Sequence, residues 1–286
     1  MSGDTRSALD CSRYEPRYVA PPCYPDACPY TSTARSPVYR PHLRCDGLWG
    51  RRLGQNRRYA RDCASGRESL KGVRILITAG PTYEPIDSVR FIGNRSSGKM
   101  GYAVAEAARQ RGAEVVLVSG PTALPDPMGV SVIRVQTAQQ MLEAVSEHFD
   151  ACEVFIATAA VADYRPETSM PSKRKRQTRA WTVRLVPNPD ILGTVAQRKA
   201  HRILVGFAAE TDKVLEHARQ KLQRKHLDLL AVNDVLEPGS GFEVDTNRLT
   251  LLYADGRIEA LPQMSKQACA EVLMARVVDL YRAKAL

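Results

Sequence analysis

The sequence predicts an α/β fold over residues 73–286, a parallel sheet with helices on both faces and a small terminal β-hairpin. Three observations predict it. Short runs rich in Val, Ile and Leu recur along the chain, as in strands buried on both faces. Stretches with apolar residues three and four apart alternate with them, and strands alternating with helices build parallel sheets. Near the end, two strand-like runs lie close together across Ala254-Asp255-Gly256, a hairpin turn signal.

Val73–Thr78 is the first strand, followed by a Gly80-Pro81 turn. Ser97–Arg111 reads as a helix with Met100, Ala103, Val104, Ala107 and Ala108 on one face, stopped by Gly112. Glu114–Ser119 and Val132–Val135 are the next strands. Thr137 opens a helix: Gln140, three residues on, completes a capping box, and Met141, Leu142, Val145 and Phe149 form its apolar stripe. Glu153–Thr158 is the fourth strand, Asp190–Lys199 a helix and Ile203–Phe207 the fifth strand. Thr211–Leu227 is a helix and Asp228–Val232 the sixth strand. Residues 248–254 and 257–261 form the hairpin, and Ser265–Lys284 closes as an amphipathic helix.

Residues 1–72 differ from the rest. Prolines stand at 16, 21, 22, 25, 29, 37 and 41, and no helical or strand period persists. Such a segment buries too little apolar surface to offset its chain entropy, so it reads as an irregular, disordered extension. The alternatives are an arginine-rich arm for nucleic acid or an acidic partner, and an artefact of an upstream start or a shifted frame. It carries 13 basic and 7 acidic side chains, which is +6 of the total +10 and leaves +4 for the remainder. A mildly basic body suits small anions and argues against a nucleic-acid groove.

No apolar run reaches the ~18 residues of a membrane span. No apolar signal core follows the polar start Met1–Asp10. A cytoplasmic chain with no membrane contact is expected. Five of the seven cysteines (Cys11, Cys23, Cys28, Cys45 and Cys63) lie in the first segment without a C-x-x-C pair. That argues against a zinc site or a disulfide framework. Cys152 and Cys269, in apolar surroundings, read as small core residues.

Open parallel sheets bind ligands beyond the carboxyl ends of their strands. The densest motif there is Arg90–Gly101. Gly93–Lys99 matches the opening of a P-loop, but Met100 stands where Ser or Thr would hold Mg²⁺, and about fifteen residues separate it from its strand. Ser96, Ser97 and Gly98 still stand at a helix N-terminus, where free N–H groups and the dipole favour an anion, with Arg90, Arg95 and Lys99 nearby. The bland alternative is a serine-capped helix. Asp163 ends a strand and is either a site carboxylate or a turn residue. After it come some twenty residues without periodicity, including Ser172–Gln177, a basic loop able to close over phosphates or simply a solvated charge run. His217, Lys221 and Lys225 form a stripe away from Val214, Ala218 and Leu222, a like-charge spacing that an anion would relieve. The five histidines are scattered and suggest no metal cluster.

Taken together, these motifs resemble phosphopantothenate–cysteine ligase, also called phosphopantothenoylcysteine synthetase, in many bacteria the C-terminal half of a bifunctional coenzyme A biosynthesis protein. The markers run in order through 72–286: Ile77–Thr82, Pro85–Asp87, Arg90–Gly101, Ala159–Tyr164, the basic loop, Asn188–Ile191, Gly206–Thr211 and Ala231–Asp234. The resemblance implies a Rossmann-like, ribokinase-like fold and a homodimer. It implies a reaction in which the carboxylate of 4′-phosphopantothenate attacks the α-phosphate of CTP, giving an acyl-cytidylate and pyrophosphate. The amine of L-cysteine then displaces CMP. Mg²⁺ is implied with CTP, its ligands unknown. Such chemistry needs positioning, charge neutralisation and donors rather than a covalent nucleophile. The chain offers basic and amide groups and no evident Ser–His or Cys–His pair.

By resemblance, Asn94 holds the acyl-cytidylate and supports its conversion. Lys173 is the mobile-loop lysine that closes on it, with Lys175 in reserve. Arg90 and Ala160 surround phosphopantothenate, with Ser96, Ser97 and Gly98 beside them. Ala157, Thr158, Ala159 and Asp163 match nucleotide-binding positions. So do Asn188, Pro189, Asp190, Ile191, Phe207, Lys221 and Lys225. The basic loop and the Lys221/Lys225 pair favour CTP over ATP, the ATP-using version of the ligase being an alternative. Gly93 replaces a commoner small polar residue, and the loop carries arginines where the family often has lysines.

In the bifunctional protein an FMN-dependent decarboxylase precedes the ligase. Its motifs are absent from 1–72, so neither decarboxylation nor an FMN site is expected, and the segment reads alternatively as a decayed or out-of-frame remnant of that domain. Among other functions, a Rossmann-type oxidoreductase needs a glycine fingerprint after Thr78, which is missing. A P-loop kinase needs Ser or Thr at 100, and a nucleic-acid module needs aromatic residues on a basic sheet face.

Overall fold

The computed structural model describes residues 69–210, 214–234, 241 and 244–285. The expectations for residues 1–68 and for the helix start at Thr211 lie outside the described residues. In chain order the first half builds β1 (Arg74–Ala79), β2 (Tyr83–Pro85), β3 (Phe91–Gly93), α1 (Lys99–Gln110), β4 (Glu114–Ser119), β5 (Ser131–Arg134), α2 (Ala138–Phe149) and β6 (Val154–Ala157). The second half builds β7 (Tyr164–Pro166), β8 (Leu185–Pro187), α3 (Ile191–Ala196), β9 (Ile203–Glu210), α4 (Val214–Arg224) and β10 (Leu229–Asp234). It ends with β11 (Thr246–Asn247), β12 (Leu249–Tyr253), β13 (Ile258–Ala260), β14 (Met264–Ser265) and α5 (Lys266–Ala285).

Six strands run parallel in the order β5-β4-β1-β6-β9-β10. The chain grows outward from β1 to one edge, then returns beside it at β6. In a doubly wound sheet that reversal opens a crevice beyond the carboxyl ends of the two central strands. The terminal hairpin is not an appendage. Its strands β12 and β13 continue the same sheet antiparallel beyond β10, because Leu249, Leu251, Leu252 and Tyr253 are all buried.

Successive strand residues point to opposite faces. Ile75 and Ile77 pack with Val104, Ala108, Leu273 and Val277 of α1 and α5. Leu76 packs with Met141, Val145, Val195 and Leu222 of α2, α3 and α4. Each helical layer is held by side-chain bonds as well as packing. On the first face, Arg111 at the end of α1 reaches Glu271 of α5 (Nη1–Oε2 2.8 Å) and its carbonyl (2.9 Å). On the second, the Thr137 hydroxyl accepts the Gln140 N–H at 3.2 Å and Gln140 Oε1 accepts the Thr137 N–H at 3.2 Å, completing the predicted capping box. Glu84 from β2, itself buried, adds a carboxylate that accepts the Ala138 N–H at 2.9 Å. Cys152 and Cys269 are buried, and desolvation pushes their thiols up to about 11 and about 12.

Two local expectations change. The first helix begins at Lys99, and its cap is Gly98 in the left-handed region (φ 79°) with no side-chain cap bond, so neither Ser96 nor Ser97 caps it. The chain must turn sharply there, which glycine alone does without strain. The stretch after Asp163 is not structureless throughout: β7 and β8 pair antiparallel at its base. A matching ribbon, β2–β3, lies against β7.

Candidate functional site

The crevice at the β1/β6 reversal is a cleft of about 830 Å³, large enough for a nucleotide-sized ligand. Its floor is main chain. Beyond β1 and β6 the two strands stay zipped together: the Ala160 N–H donates to the Gly80 carbonyl at 2.9 Å and the Ala162 N–H to the buried Thr82 hydroxyl at 3.0 Å. The Thr158 hydroxyl donates to the Thr78 carbonyl. Gly101 lets α1 settle on this floor, since a Cβ there would lie 2.4 Å from Thr158 Oγ1 and 2.5 Å from Ala79 Cβ. The N-terminus of α1 therefore sits at the cleft, with Ser96, Ser97 and Gly98 lining it. Asn94 precedes that turn and donates Nδ2 to the carbonyls of Ala160 and Val161, each at 3.1 Å, so the turn and the floor are stitched together.

The opposite wall comes from 188–191, β9 and α4. Asn188 donates its side-chain amide to the Ala162 carbonyl at 2.8 Å and its main-chain N–H to the Asp163 carbonyl at 2.8 Å. Asp190 caps α3 through the Gly193 N–H at 3.0 Å and pairs with Lys225 of the α4 end at 2.7 Å. Burial opposes ionisation of Asp190, but the Lys225 ammonium and the Gly193 N–H outweigh it and hold the carboxyl below its ordinary range. Lys221 donates to the Phe207 carbonyl at 2.8 Å. The lysine stripe thus has partners within the chain, and its spacing alone does not call for an external anion.

Ala157, Thr158, Ala159, Ala160, Asp163, Pro189, Ile191 and Phe207 also line the cleft. Arg90 and Lys173 do not. Arg90 is held by Asp87 (Nε–Oδ2 3.0 Å) and donates to the Arg174 carbonyl at 2.9 Å. The Arg174 N–H also donates to Asp87 at 3.2 Å, and both guanidiniums lie over the Trp181 ring, at 5.2 and 4.6 Å. The Arg90 hydrogen bond, outweighing desolvation, holds the Asp87 carboxyl far below the usual carboxylate range. The basic loop Ser172–Gln177, an arm between β7 and β8, is therefore pinned beside the cleft, with Lys173 exposed to solvent. The polar cleft residues Arg224, Asn247 and Lys266 escaped the sequence reading, as did Leu192 and Gly241. Arg224 falls outside an i, i+4 stripe. Lys266 carried a signal, a cation in a helix's first turn against the dipole.

Among the described residues no three His, Cys, Asp or Glu side chains form a metal cluster. Among the described residues the carboxylates lining the cleft are those of Asp163 and Asp190. That donor set fits Mg²⁺ brought by phosphates, which uses one or two carboxylates rather than a protein cage. No helix among the described residues is long and apolar enough to cross a membrane.

Comparison with known proteins identifies the family and the fold. The coenzyme A biosynthesis bifunctional protein CoaBC of Escherichia coli K12 is 49% identical over 219 residues, covering 75% of this chain and 54% of that protein. CoaBC of Bacillus subtilis is 50% identical over 198 residues, covering 69% and 49%. The chain spans about half the length of these relatives. The crystal structure of the C-terminal domain of a CoaBC protein superposes with a TM-score of 0.66 at 42% identity, covering 76% of this chain and 99% of that one. Residues 70–281 match the model of the DNA/pantothenate metabolism flavoprotein C-terminal domain, and the chain belongs to that family.

Proposed function

We propose that the chain joins 4′-phosphopantothenate to L-cysteine, consuming CTP and releasing pyrophosphate and CMP. The observation that best supports this is the meeting, at the β1/β6 reversal, of the α1 N-terminus with the Asn94 amide and the partly buried Lys221 and Lys225. The relatives' place in coenzyme A biosynthesis supports the same reading.

In this mechanism the carboxylate oxygen of phosphopantothenate bonds to the α-phosphorus of CTP. The bond from that phosphorus to the β-phosphate oxygen breaks, and its electron pair leaves with pyrophosphate. The cysteine amine then attacks the acyl carbon, the acyl carbon–oxygen bond breaks with its electron pair leaving on CMP, and the amine's proton passes to solvent. N–H groups at Ser96–Gly98 stabilise charge on the α-phosphate, aided by the helix dipole. Asn94 and the Ala160 backbone hold the acyl group beside it, with Arg90 near phosphopantothenate. Ala157–Ala159, Asp163, Asn188–Ile191 and Phe207 enclose the nucleoside, and Lys221 and Lys225 face its polar edge. Asp163 would hold Mg²⁺ brought by the triphosphate, and the ion would supply charge neutralisation there. For Lys173 to reach the intermediate, the arm has to leave the hold of Asp87 and Trp181. No FMN takes part.

We place the chain in the cytoplasm as a homodimer. Val89, Phe91, Tyr164 and Leu185 stand exposed on or beside the β2–β3 and β7–β8 ribbons, an apolar face suited to a second copy.

The test is pyrophosphate release by the purified chain with 4′-phosphopantothenate, Mg²⁺ and CTP or ATP, with and without cysteine. CTP-selective release is expected, with CMP and the amide appearing when cysteine is present. ATP-selective release would keep the reaction and overturn the reading of the lysine pair. No release from a folded sample would overturn the ligase reading.

A further inference from the structure

Among the described residues two helices open with a lysine, Lys99 in α1 and Lys266 in α5. The dipole disfavours a cation at either place. Both lysines line the cleft, and so does Asn247 of β11. Lys266 is only 6% exposed, and its ammonium donates to the Gly241 carbonyl at 3.1 Å. Burial first, and then the nearby Lys99 ammonium, push Lys266 below its ordinary range, with Asp245 pulling the other way. Lys99 pairs with Asp245 at 2.6 Å, but that carboxylate is 84% exposed and easily exchanged for another anion.

Asn247 supplies the independent sign of a ligand. It is 4% exposed, and among the described residues its Oδ1 has no hydrogen-bond partner and its Nδ2 donates only to the Met100 thioether at 3.5 Å. A buried carboxamide satisfied by one weak acceptor is out of keeping with native interiors. Turned over, the amide gives up only the thioether and presents N–H donors in place of the unpartnered oxygen.

Resting on the ligase reading above, we propose that Lys99, Lys266 and Asn247 seat the pyrophosphoryl tail of the nucleoside triphosphate and retain the pyrophosphate as it leaves. The order along the chain selects this anion over the phosphate monoester of phosphopantothenate. Asn94, on the acyl side, and Lys99 flank the Ser96–Gly98 turn. An α-phosphate at that turn has its acyl partner towards Asn94 and its β- and γ-phosphates towards Lys99. Negative charge grows on the leaving pyrophosphate as the phosphorus–oxygen bond breaks, and fixed cations placed there stabilise it.

Titration calorimetry on the full chain with inorganic pyrophosphate, CTP, CMP and 4′-phosphopantothenate tests the seat. In Lys266→Met, binding of pyrophosphate and CTP should weaken about 10-fold or more, the loss of one charge-assisted contact. CMP and phosphopantothenate should change less than about twofold, and Lys266→Arg should recover much of the loss. Asn247→Asp, nearly isosteric, places a negative charge in the seat and should weaken pyrophosphate likewise, which keeps the test available if Lys266→Met does not fold. Unchanged pyrophosphate affinity, equal loss of CMP, or loss confined to phosphopantothenate would each overturn the proposal. A wild-type chain that binds pyrophosphate but neither CTP nor CMP would overturn the nucleotide assignment and the ligase reading, while leaving an anion seat.

Discussion

Lys225 and Asp190 share a 2.7 Å hydrogen bond that fastens the end of α4 to the first turn of α3. The same carboxylate caps α3, so one bond positions a wall of the cleft and orients the lysine within it. Lys225→Met should raise the KM for CTP about 10-fold to 100-fold, the range for losing a hydrogen bond from a charged donor. Asp190→Ala should in addition cost about 1 kcal/mol of stability through the lost cap. Steady-state kinetics and urea unfolding separate the two effects.

Asn94 offers both N–H groups of its amide to carbonyls of the floor. Asp at this position faces the same two oxygens with no donor. Pyrophosphate release should survive in Asn94→Asp while amide formation falls, because the second step needs the acyl group held steady against the amine. Quenched-flow measurement of both products checks this. Equal loss of both would assign Asn94 to the first step, and normal turnover would remove it from the site.

Asp87 carries the pH dependence of the arm. Its carboxyl is held far below the unfolded value by Arg90 and by the N–H groups of Val89, Arg90 and Arg174. A depressed native value means the stabilisation is complete above about pH 4, the unfolded value, and fades as the pH falls towards the native one. Between pH 5 and 3, Asp87→Asn should therefore lose stability less steeply than the wild type. At neutral pH the same variant should be cut faster by trypsin within Lys173–Arg176, since the arm has lost its anchor.

Gly101 is where α1 touches the floor. Gly101→Ala drives a methyl against Thr158 and Ala79. Overpacking of this kind costs about 1–3 kcal/mol. Thermal unfolding should shift down by several degrees, and nucleotide affinity should fall with it because the helix N-terminus is displaced.

Much of this was legible in the amino acids. The β-branched runs mark the parallel strands because strands buried on both faces leave a continuous apolar signature. The Thr137/Gln140 box was legible because its chemistry is local. The ribbons β2–β3 and β7–β8 were not, since three-residue strands are too short to show a period. The partners of Lys221 and Lys225 were equally hidden: a main-chain carbonyl from β9 and a cap residue from α3 meet them only once the sheet is assembled. Asn247 left no trace in sequence, because its meaning lies in what its side chain fails to contact.

The position of α5 bears on how the chain is made. Its buried residues Cys269, Ala270, Leu273, Met274 and Val277 cover the same layer as Val104, Ala105 and Ala108 of α1. Its first residue completes one end of the cleft. The earlier strands can pair as they emerge from the ribosome, but until the last twenty residues of the final helix follow them, α1 presents an uncovered apolar surface and the cleft has an open end. A nascent chain stalled before Lys266 should therefore be a client for holdase chaperones, and binding competence should appear only once the final helix has docked.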